Sequence, residues 1–485
     1  MLPAGKTADA RRMDASIVEQ GVPSLLLMEN AAFSLYLSVR EVCSKETFDA
    51  IVVFAGKGGN GGDGMALLRI LVDRGCRIPL ILVPLFEPDE ISGDTATNYR
   101  LLPPTVKISP AYRHLSGNIL FIDAMLGTGL SQPLKKSFLS AVRFINHYPR
   151  KKVIAVDVPT GLSGDTGETF PEAVRADITV SLGIIKSGLF LGKGPHHVGK
   201  VHRGGIGIPP REFSVAVLEE SDFAPCQPPL NAHKRINGRL LVIGGGSPKI
   251  GASFIAAEAF LAAGGGLATV AVPEKSLLKL AGQYPALMLT TPDEAMARPE
   301  QWDVVICGPG LAQLSTKLVD FLKKTSSRLI LDAGMFDYMD ISFLSSLSTK
   351  EVIFTPHPGE LSRVSSRMGI KGAWEDQVFH FPLARYHLLY AKNTASFIRS
   401  TQKTFILPHG ARALSFGGTG DALAGILASF AARMEDLEQA AINGALLHRS
   451  AGIILETSFS PSFHRISTFL DCVGTALRTL ERGLS

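Results

Sequence analysis

Short runs of apolar, mostly β-branched residues recur along the chain, with helix-spaced apolar stretches between them. In the first half the runs fall at residues 51–54, 78–83, 119–122, 153–156 and 178–182, each bounded by Gly, Pro or Asp. Runs this short and this apolar suit parallel strands buried on both faces. Between them, Met65, Leu68, Leu71 and Val72 repeat at helical spacing. The alternation predicts a doubly wound α/β sheet. The second half restarts the pattern at 240–243 and continues at 268–272, 304–307, 329–331 and 352–354. Between the halves lies a weakly apolar stretch holding Asp222, Pro225, Pro228 and Pro229. It predicts a boundary near residue 225, with domains at 1–217 and 233–485 joined by a linker at 218–232. The halves share a pattern but no repeated motif.

Composition narrows the class without changing this picture. A chain of 485 residues exceeds one ordinary core, so two or three domains are expected. Hydrophobic content of 46% and charged content of 19% describe a foldable chain. The formal net charge of +5 is mild, and there is no Lys/Arg stripe interleaved with aromatics, so no nucleic-acid partner is expected. Cys43, Cys76, Cys226, Cys307 and Cys472 are scattered without metal-ligand spacing and read as thiols of a reducing cytoplasm. Asp9, Asp14 and Glu19 precede the first short apolar run, which argues against a secretory signal. Residues 251–272 are apolar and long enough to span a bilayer. They contain Glu258 and Gly264-Gly265-Gly266, so they read as helix, glycine turn and strand, with no membrane partner.

The first candidate site follows the strand at 51–54. Gly56-Lys57-Gly58-Gly59-Asn60-Gly61-Gly62-Asp63-Gly64 leads into a helix, a geometry that turns backbone N–H groups toward an anion. Gly56, Gly58 and Gly61 also fit the dinucleotide-binding pattern, which raises an NAD-dependent dehydrogenase as a rival. Asp63 weighs against it, since a carboxylate would repel a pyrophosphate; it can cap the helix, hold a cation or bind sugar hydroxyls. Two further strands end in Asp123, followed by Gly127-Thr128-Gly129, and in Asp157, followed by Pro159-Thr160-Gly161. Strand C-termini of an open parallel sheet share one edge, so Asn60, Asp123, Asp157 and Thr160 are expected to converge. Their oxygens suit a hard cation or acid–base work.

The second candidate site centres on Gly417-Gly418-Thr419-Gly420-Asp421 at the start of an amphipathic helix carrying Leu423, Ile426, Leu427 and Phe430. Its glycines free N–H groups for a phosphate, and Asp421 can act as base toward a hydroxyl beside it. Gly308-Pro309-Gly310 and Thr355-Pro356-His357-Pro358-Gly359-Glu360 follow strand ends and fit the same cleft.

In the first half, Met28-Glu29-Asn30-Ala31, the loop 58–64, Asp123-Ala124 with Gly127-Thr128-Gly129, and 156–161 resemble the NAD(P)H-hydrate epimerase family. So do Ala176-Asp177-Ile178-Thr179-Val180 and Lys186-Ser187-Gly188; the likeness covers roughly residues 5–210. It implies a Rossmann-like doubly wound sheet and a potassium ion held by Asn60, Asp123 and Thr160. It implies substrate contacts at Gly59, Asn60, Gly61, Gly62, Asp63, Gly127, Thr128, Gly129 and Leu130, with Asp157 at the reacting ring as acid–base. Gly59 stands where Asn is expected, and Thr160 where Ser is commoner.

In the second half, Lys249-Ile250-Gly251-Ala252, Gly308-Pro309-Gly310, the His357 loop and 417–421 resemble the ADP- or ATP-dependent NAD(P)H-hydrate dehydratases over roughly residues 230–485. The likeness implies a ribokinase-like α/β domain, with substrate contacts at Ala252, Gly310, His357 and Asp421. It puts Asp421 as catalytic residue, Gly420 and Arg399 at the nucleotide, and Mg with the ADP or ATP. Gly334 stands where a second acidic residue is usual, and Arg399-Ser400 where Lys-Gly is expected; the segment from Arg399 to Asp421 is short.

Together the two resemblances imply metabolite repair: epimerisation of the R and S forms of NAD(P)H-hydrate, then nucleotide-driven dehydration of the S form. A homo-oligomeric cytoplasmic enzyme is the expectation. The alternatives are a ribokinase-type small-molecule kinase with a regulatory N-terminal domain, an epimerase with an inactive second domain, a non-catalytic scaffold, and the dehydrogenase.

Overall fold

The computed structural model describes residues 1–130, 132–208, 213–227, 235–245, 249–280, 282–408, 410–460, 462 and 465–483. The chain divides into two compact units, Leu2–Ala216 and Val217–Ser485.

In the first unit a seven-stranded sheet runs in the order Lys107–Ile108, Leu80–Pro84, Ala50–Ala55, Ile119–Ala124, Lys151–Val156, Ile178–Leu182 and Lys200–Gly204. All its pairings are parallel. The four long central strands are buried along most of their length, which is why their apolar runs do not alternate. Strand order reverses between Ala50–Ala55 and Ile119–Ala124, where Phe54 lies in register with Asp123. In an open α/β sheet that reversal opens a crevice at the strand C-termini. The helix Gly59–Asp73 begins there, so most of the predicted glycine loop is the helix's first turns. Asp63 is therefore buried within the helix, and Gly58 holds the N-cap position that Asp63 had been offered.

The second unit orders its strands Met288–Thr290, Leu267–Ala271, Arg239–Ile243, Val304–Cys307, Arg328–Leu331, Val352–Phe354, His387–Ala391, Ser396–Arg399 and Thr404–Leu407. The first seven pair in parallel and the last two antiparallel. Each unit is thus an α/β unit built on a mainly parallel sheet, as the alternating apolar runs predict. The helix Thr419–Ala431, expected to be amphipathic, is buried from Ala422 through Ala431. It packs between Gly251–Ala262 and Leu437–Ser458, so its small residues face neighbours on every side.

The expected linker covers residues 218–232. Its residues 228–232 lie outside the described residues, and 218–227 pack onto the second unit rather than forming a free tether. Phe223 is buried edge-on against Phe430, and the Asn443 side chain bonds both the N–H and the carbonyl of Ala224. Residues 251–272 form the expected helix, turn and strand, and no helix among the described residues is long and apolar enough to cross a membrane.

Candidate active sites

At the edge of the first sheet, Asp123 closes the strand Ile119–Ala124 and is fully buried. Thr160 donates to it twice, from Oγ1 to Oδ1 at 2.6 Å and from its backbone N to Oδ2 at 2.7 Å. Burial pushes the Asp123 carboxyl up to about 6, against the pull of those hydrogen bonds. The Leu126 N–H donates to Thr160 Oγ1 at 3.0 Å, and Asn60 Nδ2 donates to the Val156 carbonyl at 2.8 Å. Gly127 backs directly onto the Asn60 carboxamide, leaving no room for a Cβ. Asn60, Asp123 and Thr160 thus gather around the segment 123–127. Their set of one buried carboxylate and neutral oxygens suits a hard monovalent cation.

A cavity of about 740 Å³ opens beside this cluster. Gly58, Gly59, Asn60, Asp63, Gly127, Thr128, Gly129 and Asp157 line it, as do Asp14 and Lys186. The Gly-Thr-Gly loop is held by Arg11, whose guanidinium donates to the Thr128 carbonyl at 2.6 Å. Asp157 adopts φ 66°, unusual for a non-glycine residue, while its N–H donates to the Val180 carbonyl at 2.8 Å. This turn aims its carboxylate at the N–H of Leu182, 3.0 Å away, and at the ammonium of Lys186. Lys186 is only 2% exposed and also donates to the Leu182 carbonyl at 2.7 Å. Sequence reasoning quoted Lys186 within a motif but gave it no role, and it passed over Asp14; no local spacing links either to Asp157.

Three further residues expected at the substrate make close contacts within the unit. Gly61 backs onto the Gly56 carbonyl, Gly62 onto Met28 and Thr95, and Leu130 packs against the core beneath the sheet. The first two are places where backbone must approach closely, which their glycines permit.

In the second unit, three consecutive strands end in polar residues that meet. Asp332 follows Arg328–Leu331, Thr355 follows Val352–Phe354 and Lys392 follows His387–Ala391. Lys392 Nζ and Thr355 Oγ1 each donate to Asp332 Oδ1 at 2.7 Å. Lys392 Nζ also lies 3.7 Å from where a Cβ on Gly420 would stand. Asp421 sits in the first turn of Thr419–Ala431, and its carboxyl is pushed up to about 6 by burial, then by the nearby Asp332, with Lys392 opposing. Glu360 is raised as well, chiefly by burial. His357 caps the helix Pro358–Arg367: its Nδ1 accepts from the N–H of Gly359 and of Glu360, at 3.0 and 3.3 Å. Ala252 lies in the first turn of Gly251–Ala262, and Gly310, at φ 69°, turns against the Lys249 carbonyl.

Arg399 was expected at the nucleotide. Its Nη1 donates to the carbonyls of Phe381 at 2.7 Å and Val378 at 3.3 Å, closing the C-terminus of the helix Trp374–His380. The cation beside Gly420 is Lys392, seven residues earlier. Lys392 opens the turn that joins His387–Ala391 to its antiparallel neighbour Ser396–Arg399. Among the described residues, no three His, Cys, Asp or Glu side chains are grouped to hold a metal.

Comparison with known proteins agrees with this division. The family described as "YjeF-related protein N-terminus" matches residues 24–188, and that described as "NAD(P)H-hydrate dehydratase" matches 240–468. A bifunctional NAD(P)H-hydrate repair enzyme of Salinibacter ruber is 32% identical over 88% of this chain and 86% of its own. Its counterpart from Dictyoglomus turgidum is 30% identical over 90% of each chain, and that from Moorella thermoacetica 30% identical over 96% of this chain and 94% of its own. With two family domains in this order and relatives alike across both units, the chain belongs to the family of bifunctional NAD(P)H-hydrate repair enzymes.

Proposed function

We propose that the first unit interconverts the R and S forms of NAD(P)H-hydrate and that the second dehydrates the S form to NAD(P)H with consumption of ADP or ATP. The observation that carries this reading is the cavity at the first sheet's strand-order reversal. Asp157 lines it together with the glycine-rich helix start and the Gly-Thr-Gly loop, which supports reading that carboxylate as the acid–base group. Water joins the dihydronicotinamide ring at the carbon bonded to nitrogen, because protonating the enamine makes that carbon electrophilic. Interconverting the epimers means breaking and remaking a bond at that carbon, which calls for proton transfer within the cavity.

Asn60, Asp123 and Thr160 would hold a potassium ion, which would neutralise the buried Asp123 and fix the segment that carries Gly127. In the second unit, Gly420 and Lys392 suit the nucleotide phosphates, with Mg arriving on the nucleotide. Asp421 takes the proton of the hydrate's hydroxyl as that oxygen receives a phosphoryl group. The phosphate then leaves far more readily than hydroxide, together with the proton on the neighbouring ring carbon. The kinase alternative shares this Asp421 chemistry, but it gives the first unit's cavity no work. The test is to supply a mixed-epimer hydrate with ADP, then with ATP, and follow NADH absorbance. Consumption of both epimers supports the reading; phosphoryl transfer without NADH formation supports the kinase.

A further inference from the structure

Asp157 accounts for one proton-transfer group, yet inverting the carbinolamine carbon needs two: one where hydroxide departs and one where water arrives. The cavity holds a second candidate, Asp63. Asp63 lies on the second turn of Gly59–Asp73, is 7% exposed, and lines the same cavity as Asp157. Among the described residues its carboxylate makes no hydrogen bond and has no cation of its own. The charged groups around it come from separate elements. Asp14 projects from the helix Thr7–Glu19, Asp157 from the loop after Lys151–Val156, and Lys186 from the short strand Ile185–Lys186. Lys186 is bound to Asp157, Arg11 is turned to the Thr128 carbonyl, and Glu19 and Asp94 also line the cavity. Three carboxylates thus share one ammonium, and that ammonium is already committed.

We propose that Asp63 is the second catalytic residue of the epimerase site, working as the proton-carrying partner of Asp157, which is paired with Lys186. This rests on the epimerase reading of the cavity. Asp63 donates its proton to the carbinolamine hydroxyl. The C–O bond breaks, the ring nitrogen's lone pair forms the C=N⁺ bond, and water leaves. A water on the opposite ring face then attacks the iminium carbon, and its proton passes to the Asp157 carboxylate. Asp63 ends ionised and Asp157 protonated, and either the reverse epimerisation or exchange with solvent restores the pair. Burial without a partner, beside the charges of Asp157 and Asp14, holds the Asp63 carboxyl well above the usual carboxylate range, which keeps the proton available.

The test is Asp63→Asn in the full-length protein. It keeps size and polarity but cannot give up a proton. Three readouts apply: kcat and KM for epimerisation across pH, melting temperature, and oxygen-18 incorporation from labelled water by wild type. Wild type should lose activity as pH rises through the raised Asp63 pKa, and each inverted product should carry one solvent oxygen. Asp63→Asn should lower kcat on the order of 100-fold or more with KM within a few-fold. It should lack the alkaline limb and melt no lower than wild type, since no buried charge is lost to it. A variant within twofold of wild-type kcat, or one keeping the same alkaline limb, overturns the assignment. Inversion that retains the original oxygen overturns the water-exchange step. Wild type that does not epimerise at all overturns the underlying reading of the cavity instead, which the same assay registers separately.

Discussion

Lys186 and Asp157 form a buried ion pair, with the lysine side chain 2% and the aspartate side chain 9% exposed. The pair joins the short strand Ile185–Lys186 to the loop after Lys151–Val156 and sets the carboxylate at the cavity wall. Removing one partner of a buried pair leaves an uncompensated charge, at about 3–5 kcal/mol. Lys186→Met and Asp157→Asn should therefore both lower the melting temperature, and Asp157→Asn should in addition slow epimerisation by about 100- to 10,000-fold through loss of acid–base work. Thermal melts beside epimer-resolved chromatography check both; an Asp157→Asn rate within twofold of wild type would make that residue a loop support only.

Potassium dependence follows from the oxygen set around the segment 123–127. Asp123→Ala removes charge and Asn60→Ala a neutral oxygen, so each should weaken epimerisation and raise the potassium concentration needed for half-maximal rate. Titrating potassium chloride against choline chloride at constant ionic strength measures this, and equal rates in both salts would refute the ion site.

Lys392 and Arg399 offer a paired comparison. Lys392→Ala should abolish most nucleotide-dependent NADH formation, because its ammonium lies beside Gly420 and binds Asp332. Arg399→Ala should cost stability instead, since it removes two hydrogen bonds to the end of Trp374–His380. Nucleotide KM and melting temperature separate the two effects. A raised nucleotide KM in Arg399→Ala without a change in melting would return that residue to the phosphate site.

The raised pKa of Asp421, about 6, gives a pH prediction with a definite sign. As a base it must be ionised, so kcat/KM for dehydration should rise with pH through about 6. Its effect on stability runs the other way. A carboxyl raised in the folded state favours folding most below its ordinary value of 3.8 and loses that advantage as pH climbs through 6. At pH 8, Asp421→Asn should therefore be inactive yet more stable than wild type, on the order of 1–3 kcal/mol. Chemical denaturation at pH 4 and pH 8 tests this, with a stability gain at pH 8 only.

The sequence disclosed what rests on local pattern. Apolar runs marked the central parallel strands of both units, because strands buried on two faces leave continuous β-branched stretches. Asp123 and Asp157 were visible as polar residues ending such runs. Partnerships between distant segments were not visible. Lys186 reaches Asp157 across a gap of 29 residues, and Lys392 reaches Asp332 across 60. The antiparallel pair Ser396–Arg399 and Thr404–Leu407 was missed as well, and with it the true place of Lys392. Helix boundaries misled in the glycine segment, where Gly59 to Gly64 read as loop but form the start of a helix packed closely enough to need them.

The central claim is that two sites act in sequence on one damaged cofactor. The most direct measurement feeds the purified full chain an equimolar mixture of the two NADH-hydrate epimers with ADP or ATP and follows NADH formation to its end point. The account predicts conversion of the whole mixture, and in the Asp157→Asn variant a fast phase that consumes one half followed by a much slower second phase. No NADH with either nucleotide, or identical single-phase progress in wild type and Asp157→Asn, would contradict it.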